Sequence, residues 1–247
     1  MTPTRNKRKY YFLGGLLILV LLLGLARAFL HMNTYQPTSS AKQASQHATV
    51  TKNVTTFKAK NSKLTLVFYP GGLVEPDSYA NWAYQVSKEG YTVKIVHFPL
   101  NLAVLAPNQV KQVVGPHEKF VIGGHSLGGA MAARYAAKAD KPNLKGLFLL
   151  AAYTDQKGRL DHSQLPVLSV TASKDGVLNW TNYHANKKYL SKDTTFSTIS
   201  GGNHGGFGSY GHQKGDKIAK ISNAKQQKQV AQILIKWLKT IKNVSTL

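Results

Sequence analysis

Cysteine is absent from this sequence of 247 residues. Its absence excludes disulfide bonds, thiolate catalysis and cysteine-based metal sites. Acidic residues are also few, because ten aspartates and glutamates stand against 32 lysines and arginines and the formal net charge is +22. The basic residues are spread over the whole chain, mostly as single lysines, and no nucleic-acid-binding motif accompanies them. We therefore expect a surface that adheres to anionic cell-envelope polymers or lipid headgroups, no nucleic-acid partner, and neither metal nor cofactor.

Long apolar runs are missing except at the N-terminus, where residues 10–26 are uncharged and apolar. A basic flank at residues 1–9 precedes this run, and Arg27 ends it. This pattern predicts a membrane segment over residues 10–30, either an uncleaved signal-anchor or a signal peptide cleaved near the Ala-Arg-Ala at 26–28. Both alternatives place the rest of the chain outside the cytoplasm, because the basic flank stays inside. We favour the anchor.

Residues 31–61 are rich in Thr, Ser, Gln, Lys and Asn and contain few apolar side chains. Such a composition predicts a flexible linker, since little apolar surface is available to order it. The remaining residues, 62–247, are long enough for one catalytic domain with its own core. The sequence thus predicts a tethered domain.

Strands and helices alternate along that domain. Apolar runs predict strands at residues 64–69, 91–96, 119–123, 146–151, 167–171 and 194–199, and helical periodicity predicts helices at 78–88, 100–114, 130–139, 177–190 and 224–241. The connections are too long for hairpins, so the pattern favours a mostly parallel sheet of about six strands with helices on both faces. Reactive groups in such sheets gather at the carboxyl ends of the strands.

The third predicted strand ends in residues 124–128, Gly-His-Ser-Leu-Gly, and a helical run follows directly. This is the G-x-S-x-G pattern between a strand and a helix that is typical of a nucleophile elbow. The sharp reversal demands small residues two positions on either side of Ser126. We predict Ser126 as a nucleophile, with the helix N-terminus favouring negative charge beside it.

Two later strand ends carry the partners that such a serine requires. Asp175 follows the fifth strand and His204 follows the sixth, in the glycine-rich residues 201–208. Histidine can take the serine proton near neutral pH, and a carboxylate can orient that histidine. Asp155, after the fourth strand, is the alternative acid. His125 is the alternative base, although neighbouring elbow residues point apart and we expect it to pack or bond to backbone.

Other histidines offer less. His212 is predicted to line the site, whereas His97 and His117 lie in earlier loops.

Acyl transfer also requires backbone N–H groups that stabilise an oxyanion. Leu127, directly after the nucleophile, would supply one such group. The second would come from residues 70–73, Pro-Gly-Gly-Leu, after the first strand of the domain. We predict Gly72 as that donor, with Leu73 as the alternative.

These features together resemble the α/β-hydrolase superfamily over residues 63–241. Further motifs are similar to those of a small group of dienelactone-hydrolase-like members: the Tyr-Pro-Gly-Gly of residues 69–72 with the Glu-Pro of 75–76, the Pro-Leu-Asn-Leu-Ala of 99–103, and the Gly-Asn-His of 202–204 with the following Phe-Gly-Ser-Tyr-Gly of 207–211. Members of this group often carry one N-terminal membrane segment in Gram-positive bacteria. The resemblance implies serine hydrolase chemistry and names no substrate.

The expected function is therefore a carboxylesterase-type serine hydrolase. The interval between the fourth and fifth strands, residues 153–165, is too short for a helical cap, which favours small or polymer-borne esters. An acyltransferase with the same triad and a non-catalytic surface-binding protein are the alternatives.

Overall fold

The computed structural model describes residues 4–138 and 142–241. The chain divides into two compact units between Thr34 and Tyr35. The first unit is helix α1, Thr4–Met32. Its segment Lys9–Leu30 has 22 residues and a mean hydropathy of 2.4, which is long and apolar enough to cross a membrane. The predicted membrane segment thus coincides with one continuous helix, a finding that an anchor and a signal sequence satisfy equally.

The second unit alternates strands and helices. Its strands are β1 (Thr49–Val50), β2 (Val54–Phe57), β3 (Leu64–Tyr69), β4 (Tyr91–Val96), β5 (Phe120–His125), β6 (Leu144–Leu150), β7 (Val167–Ala172) and β8 (Thr194–Ile199). Its helices are α2 (Ser39–Ser45), α3 (Ala80–Lys88), α4 (Leu127–Ala136), α5 (Trp180–Asn186) and α6 (Asn223–Leu238).

The strands form one sheet in the order β1-β2-β4-β3-β5-β6-β7-β8. β2 pairs antiparallel with β1 and with β4, and every pairing from β4 through β8 is parallel. The chain order reverses around β3, which is flanked by β4 and β5. In open sheets of this kind the loops at the carboxyl ends beside such a reversal form a crevice. Gly72 and the elbow lie at those ends.

Helices cover both faces of the sheet. Trp82 of α3 and Leu234 of α6 belong to one buried cluster, and Ala132 of α4 belongs to the other. All six residues of β3 are buried, as are all six of β5. Central strands covered on both faces have continuous apolar sequences, which is why these strands could be predicted from composition.

The structure corrects the linker prediction for residues 35–57. The segment forms α2 and the two antiparallel strands, and Phe57 is 1% exposed. Residues 35–38, which we call the N-terminal strap, bond to two loops: Tyr35 N donates to Leu73 O at 2.7 Å, Glu75 N donates to Tyr35 O at 3.0 Å, and Thr38 N donates to Ser209 O at 2.8 Å. Backbone hydrogen bonds order this polar segment, and composition does not reveal them.

The number of strands and one helix also differ from the prediction. The sheet has eight strands where about six were predicted, because β1 and β2 come from the segment assigned to the linker. The helix predicted over residues 100–114 is wrong, since three short 3₁₀ turns take its place: Pro99–Asn101, Ala103–Leu105 and Gln109–Gln112. Leu100 and Asn101 both adopt φ of 55°, which no α-helix accommodates.

Candidate active site

Ser126 lies at the sharp turn between β5 and α4. Its backbone has φ 52° and ψ −122°, a strained conformation for a residue with a side chain. A Cβ atom on Gly124 would lie 2.5 Å from the Gly128 carbonyl carbon, and one on Gly128 would overlap the Tyr69 and Pro70 carbonyl oxygens. The chain passes itself so closely here that only glycine fits on either side. The half-buried Ser126 therefore stands at the carboxyl end of β5.

Asp175 and His204 lie together below the surface. His204 Nδ1 is 2.8 Å from Asp175 Oδ2, and both residues are 1% exposed. The other carboxylate oxygen, Oδ1, accepts hydrogen bonds from Val177 N at 2.9 Å and Leu178 N at 2.8 Å. Because a carboxylate only accepts, His204 Nδ1 carries the hydrogen and Nε2 carries a lone pair. That Nε2 is buried with no hydrogen-bond partner among the residues described.

Asp155, the alternative acid, is engaged elsewhere. Its carboxylate forms an ion pair with Arg134 of α4 and accepts a hydrogen bond from Gly158 N at 3.1 Å. The Arg134 guanidinium is the main cause that lowers the pKa of Asp155 below its ordinary value. The geometry thus brings His204 to Asp175 and leaves Asp155 as a partner of α4.

His125, the alternative base, is buried behind the elbow. Its Nδ1 lies 2.9 Å from Tyr79 Oη, and its ring centroid lies 4.5 Å from that of His204. Burial, followed by the neighbouring His204, lowers the pKa of His125 well below the ordinary histidine value. The sequence predicted that this residue packs or bonds to backbone; it packs against the rings of His204 and Phe207 and also bonds to the Tyr79 hydroxyl. Because Ser126 follows His125 directly, the elbow and the His204 loop meet at one end of the sheet.

The loop that carries His204 is fixed from α6. Gln226, which is 1% exposed, accepts a hydrogen bond from Asn203 N at 3.0 Å and donates one to Asn203 O at 2.8 Å. Asp216 Oδ2 accepts from Gly205 N at 2.8 Å. Sequence reasoning missed both residues and Tyr79. A glutamine on the buried face of an amphipathic helix was the available signal, since buried amides require partners.

Gly72 and Leu127 lie side by side. A Cβ atom on Gly72 would be 3.1 Å from Leu127 Cδ2 and 3.7 Å from Leu127 Cβ. Leu73 N donates to Asn101 O at 2.9 Å, so this N–H already has an acceptor. No acceptor within the described part of the chain takes the Gly72 N–H. The geometry therefore favours Gly72 over Leu73 as an oxyanion donor.

The remaining histidines lie outside this constellation. His97 Nε2 is 2.8 Å from Thr55 Oγ1 beside β2, and His117 is an exposed loop residue. His212 lines a cavity next to Gly205 and Gly206, at the back of the His204 loop. Over residues 4–138 and 142–241, no three histidine or acidic side chains are grouped as metal ligands would be.

The connection between β6 and β7 is short. Its residues, 151–166, contain a single 3₁₀ turn, Gln156–Gly158, and no cap covers the carboxyl end of the sheet from this connection. The site on this side is consequently open.

The sequence was compared with protein families and with proteins of curated function. A model of the Alpha/beta hydrolase family matches residues 65–228. No protein of curated function matches the sequence.

Solved structures with a similar fold include three with hydrolase or esterase names. A dienelactone hydrolase from Anabaena variabilis has a TM-score of 0.56 at 14% identity, over 76% of this chain and 91% of that one. The esterase domain of a Rhodothermus marinus protein has a TM-score of 0.56 at 13% identity, over 75% and 91%. A ferulic acid esterase from Streptomyces cinnamoneus has a TM-score of 0.58 at 16% identity, over 73% and 68%.

At these identities the likeness concerns the fold, and it confirms the predicted α/β-hydrolase architecture. The family model spans more than half of the sequence and includes Ser126, Asp175 and His204. The chain therefore belongs to the Alpha/beta hydrolase family.

Proposed function

We propose that this chain is a serine hydrolase that cleaves carboxylic esters through an acyl-enzyme. Ser126 is the nucleophile, His204 the general base and acid, and Asp175 the residue that orients His204. The observation that carries the proposal is the buried pair of His204 Nδ1 and Asp175 Oδ2 at 2.8 Å, which leaves His204 Nε2 with an unshared lone pair. His204 packs against His125, the residue directly before the strained Ser126, so this lone pair lies at the same end of the sheet as the serine whose proton it would take.

The reaction has two steps. Ser126 Oγ attacks the acyl carbonyl while His204 Nε2 takes its proton, and the same proton then passes to the departing alcohol. Water, deprotonated by His204 in turn, attacks the acyl-enzyme and releases the acid with Ser126 restored. Asp175 keeps the hydrogen on Nδ1 throughout and stabilises the imidazolium that forms.

The N–H groups of Leu127 and Gly72 would stabilise the oxyanion in both steps. Leu127 N begins α4, where the helix dipole also favours negative charge. In enzymes that catalyse acyl transfer, removal of one oxyanion donor lowers kcat by about 10²–10³-fold.

The open site favours small or polymer-borne esters. Residues 151–166 form no cap over the strand ends, so a small or polymer-tethered acyl donor can approach. The net charge of +22 supports attraction of anionic polymers that carry ester groups. The esterase names of two similar structures agree with ester chemistry.

The catalytic unit would act outside the cytoplasm, tethered by α1. The 22 residues of Lys9–Leu30 would span about 33 Å as a helix, and a bilayer core is about 30 Å thick. The basic residues before Tyr10 would stay on the cytoplasmic side.

Labelling with a fluorophosphonate probe tests the nucleophile. The wild-type chain is expected to react at one residue, and Ser126→Ala is expected to abolish the reaction. Ser173→Ala, which changes another serine at a strand end, is the matched control and should label normally. Labelling that survives Ser126→Ala would refute the assignment.

An ester panel with competing acceptors then separates the alternatives. Release of the free acid, unaffected by added alcohols or amines, is expected of a hydrolase. Products that carry the acceptor would indicate an acyltransferase, and no turnover with any ester would indicate a binding protein.

A further inference from the structure

Two buried polar side chains near the proposed triad take part in none of its steps. Tyr79 is 0% exposed and His125 is 1% exposed. Tyr79 lies in the turn that leads into α3, and His125 is the last residue of β5. Burying a hydroxyl and an imidazole is unfavourable unless both find partners. Tyr79 Oη and His125 Nδ1 are partners of each other, whereas His125 Nε2 is buried without a hydrogen-bond partner among the described residues.

The Tyr79 hydroxyl bridges two loops. Gly71 N donates to Tyr79 Oη at 2.9 Å, and Tyr79 Oη lies 2.9 Å from His125 Nδ1. Gly71 supplies a hydrogen to the hydroxyl oxygen, and among the described residues His125 Nδ1 is the acceptor in reach of the hydroxyl's own hydrogen, so we assign that hydrogen to the bond with Nδ1. His125 Nδ1 is then an acceptor, and the ring's single hydrogen sits on Nε2. This assignment follows from the bonding pattern alone.

His125 in turn contacts the proposed base. The two imidazole rings are 4.5 Å apart between centroids and tilted by 45°, and the ring of Phe207 lies 5.7 Å from His125. A neutral His125 adds no repulsion when His204 becomes an imidazolium. A chain of contacts thus runs from Gly71 through Tyr79 and His125 to His204.

The fit at Gly71 is close. A Cβ atom there would be 2.9 Å from His125 Nδ1 and 3.1 Å from Tyr79 Oη. The backbone beside Gly72 therefore sits against the pair with no space for a side chain.

We propose that Tyr79 and His125 are positioning residues that hold the Gly71–Gly72 loop, the Ser126 elbow and the His204 loop at fixed distances from one another. This inference rests on the proposed function. The three groups it aligns are the oxyanion donor, the nucleophile and the base, and catalysis requires all three in register. A misplacement of about 1 Å can cost about 10²-fold in rate.

Tyr79→Phe tests the bridge with the loss of a single oxygen. In the full-length chain, kept in detergent, we expect kcat for an activated ester to fall about tenfold to hundredfold with KM within about twofold of wild type. The fluorophosphonate labelling rate should fall in parallel, since it depends on the alignment of Ser126 and His204 and not on ester binding.

Tyr69→Phe is the matched control. Tyr69 is also 0% exposed, and its hydroxyl accepts from Val110 N at 3.2 Å and donates to Pro107 O at 2.9 Å. It therefore loses the same kind of buried bonds on the other face of the sheet. We expect a similar loss of thermal stability with kcat nearly unchanged. Equal losses of kcat in both variants would overturn the positioning role.

His125 provides a second pair of variants. Asn places Oδ1 two bonds from Cβ, as Nδ1 is in histidine, so His125→Asn retains an acceptor for Tyr79 whereas His125→Leu removes it. We expect His125→Asn to be at least about tenfold more active than His125→Leu. Equal activity overturns the inference even where Tyr79→Phe fails to fold. Absence of labelling in the wild-type chain would instead overturn the proposed function itself.

Discussion

At the scale of single residues, the two carboxylate oxygens of Asp175 have separate hydrogen-bond partners. Oδ1 is held by the N–H groups of Val177 and Leu178, and Oδ2 faces His204. The two oxygens therefore have distinct roles. One fixes the side chain, and the other fixes the histidine.

This division makes the outcome of Asp175→Asn predictable. The two N–H groups would keep an amide oxygen at the Oδ1 position, so the amide NH₂ would face His204 Nδ1. Nδ1 would then accept, and the hydrogen would move to Nε2, where it blocks proton abstraction. We expect kcat to fall about 10³–10⁴-fold with little change in the circular dichroism spectrum. Steady-state kinetics on an activated ester provides the measurement, and activity above about a tenth of wild type would contradict the assigned tautomer.

His125 predicts a pH dependence of stability. Burial lowers its pKa in the folded chain, whereas in the unfolded chain its pKa is about 6.5. Below pH 6.5 the unfolded state binds a proton that the folded state does not, so the free energy of unfolding falls as the pH falls. At pH 5.5 His125 accounts for up to about 1.4 kcal/mol of this decrease in the free energy of unfolding.

Thermal melts between pH 5 and pH 7.5 measure the contribution of His125 as the difference in the pH dependence of stability between wild type and His125→Asn. Burial also lowers the pKa of His97. Because His97 is present in both proteins, its contribution to the pH dependence cancels in the comparison. His162→Asn is the control, because its side chain is 81% exposed. Identical slopes in wild type and His125→Asn would contradict the prediction.

The choice among residues could be predicted only in part. Chain order and strand ends favoured Asp175 over Asp155, and in the structure Asp155 forms an ion pair with Arg134. Gly72 and Leu73 could not be separated from sequence, because the acceptor of Leu73 N is Asn101 O, on a loop 28 residues away. Contacts of that range leave no periodic signal.

At the scale of elements, the buried strands were the most predictable. β3 and β5 are covered on both faces, and their largely apolar sequences reflect that burial. The segment 35–57 was not predictable, since its order comes from backbone pairing with β4 and from a few anchors such as Phe57. The turns over residues 99–112 were predicted as a helix because their apolar residues follow helical spacing.

Truncation tests the corrected boundary. A fragment of residues 35–247 retains β2 and Phe57, and a fragment of residues 62–247 exposes the edge of β4. We expect the first to be soluble with a cooperative thermal transition and the second to aggregate or melt much lower.

Phe57→Ala in the longer fragment should cost about 3–5 kcal/mol in denaturant unfolding, as expected for a buried aromatic side chain. Val50→Ala is the control, because Val50 is 58% exposed in β1. Equal stability of the two fragments would restore the flexible-linker interpretation.

At the scale of the whole molecule, we expect the full chain and the second unit alone to differ in solubility. The full chain should remain with membranes after an alkaline carbonate wash, because burying the apolar segment Lys9–Leu30 in lipid is strongly favourable. Residues 35–247 alone should be released. Size on a denaturing gel distinguishes the anchor from a signal peptide, since cleavage near Ala28 would remove the tether and leave both forms in the soluble fraction.

The N-terminal strap has a mechanical consequence. Tyr35 is the first residue of the second unit, and its backbone bonds directly to Leu73 and Glu75, while Thr38 bonds to Ser209. Tension applied through the chain at this point would load those few bonds before it reached the sheet. They adjoin the loops of Gly72 and His204, so a pulled chain would lose the alignment of the proposed catalytic groups while its core stayed intact.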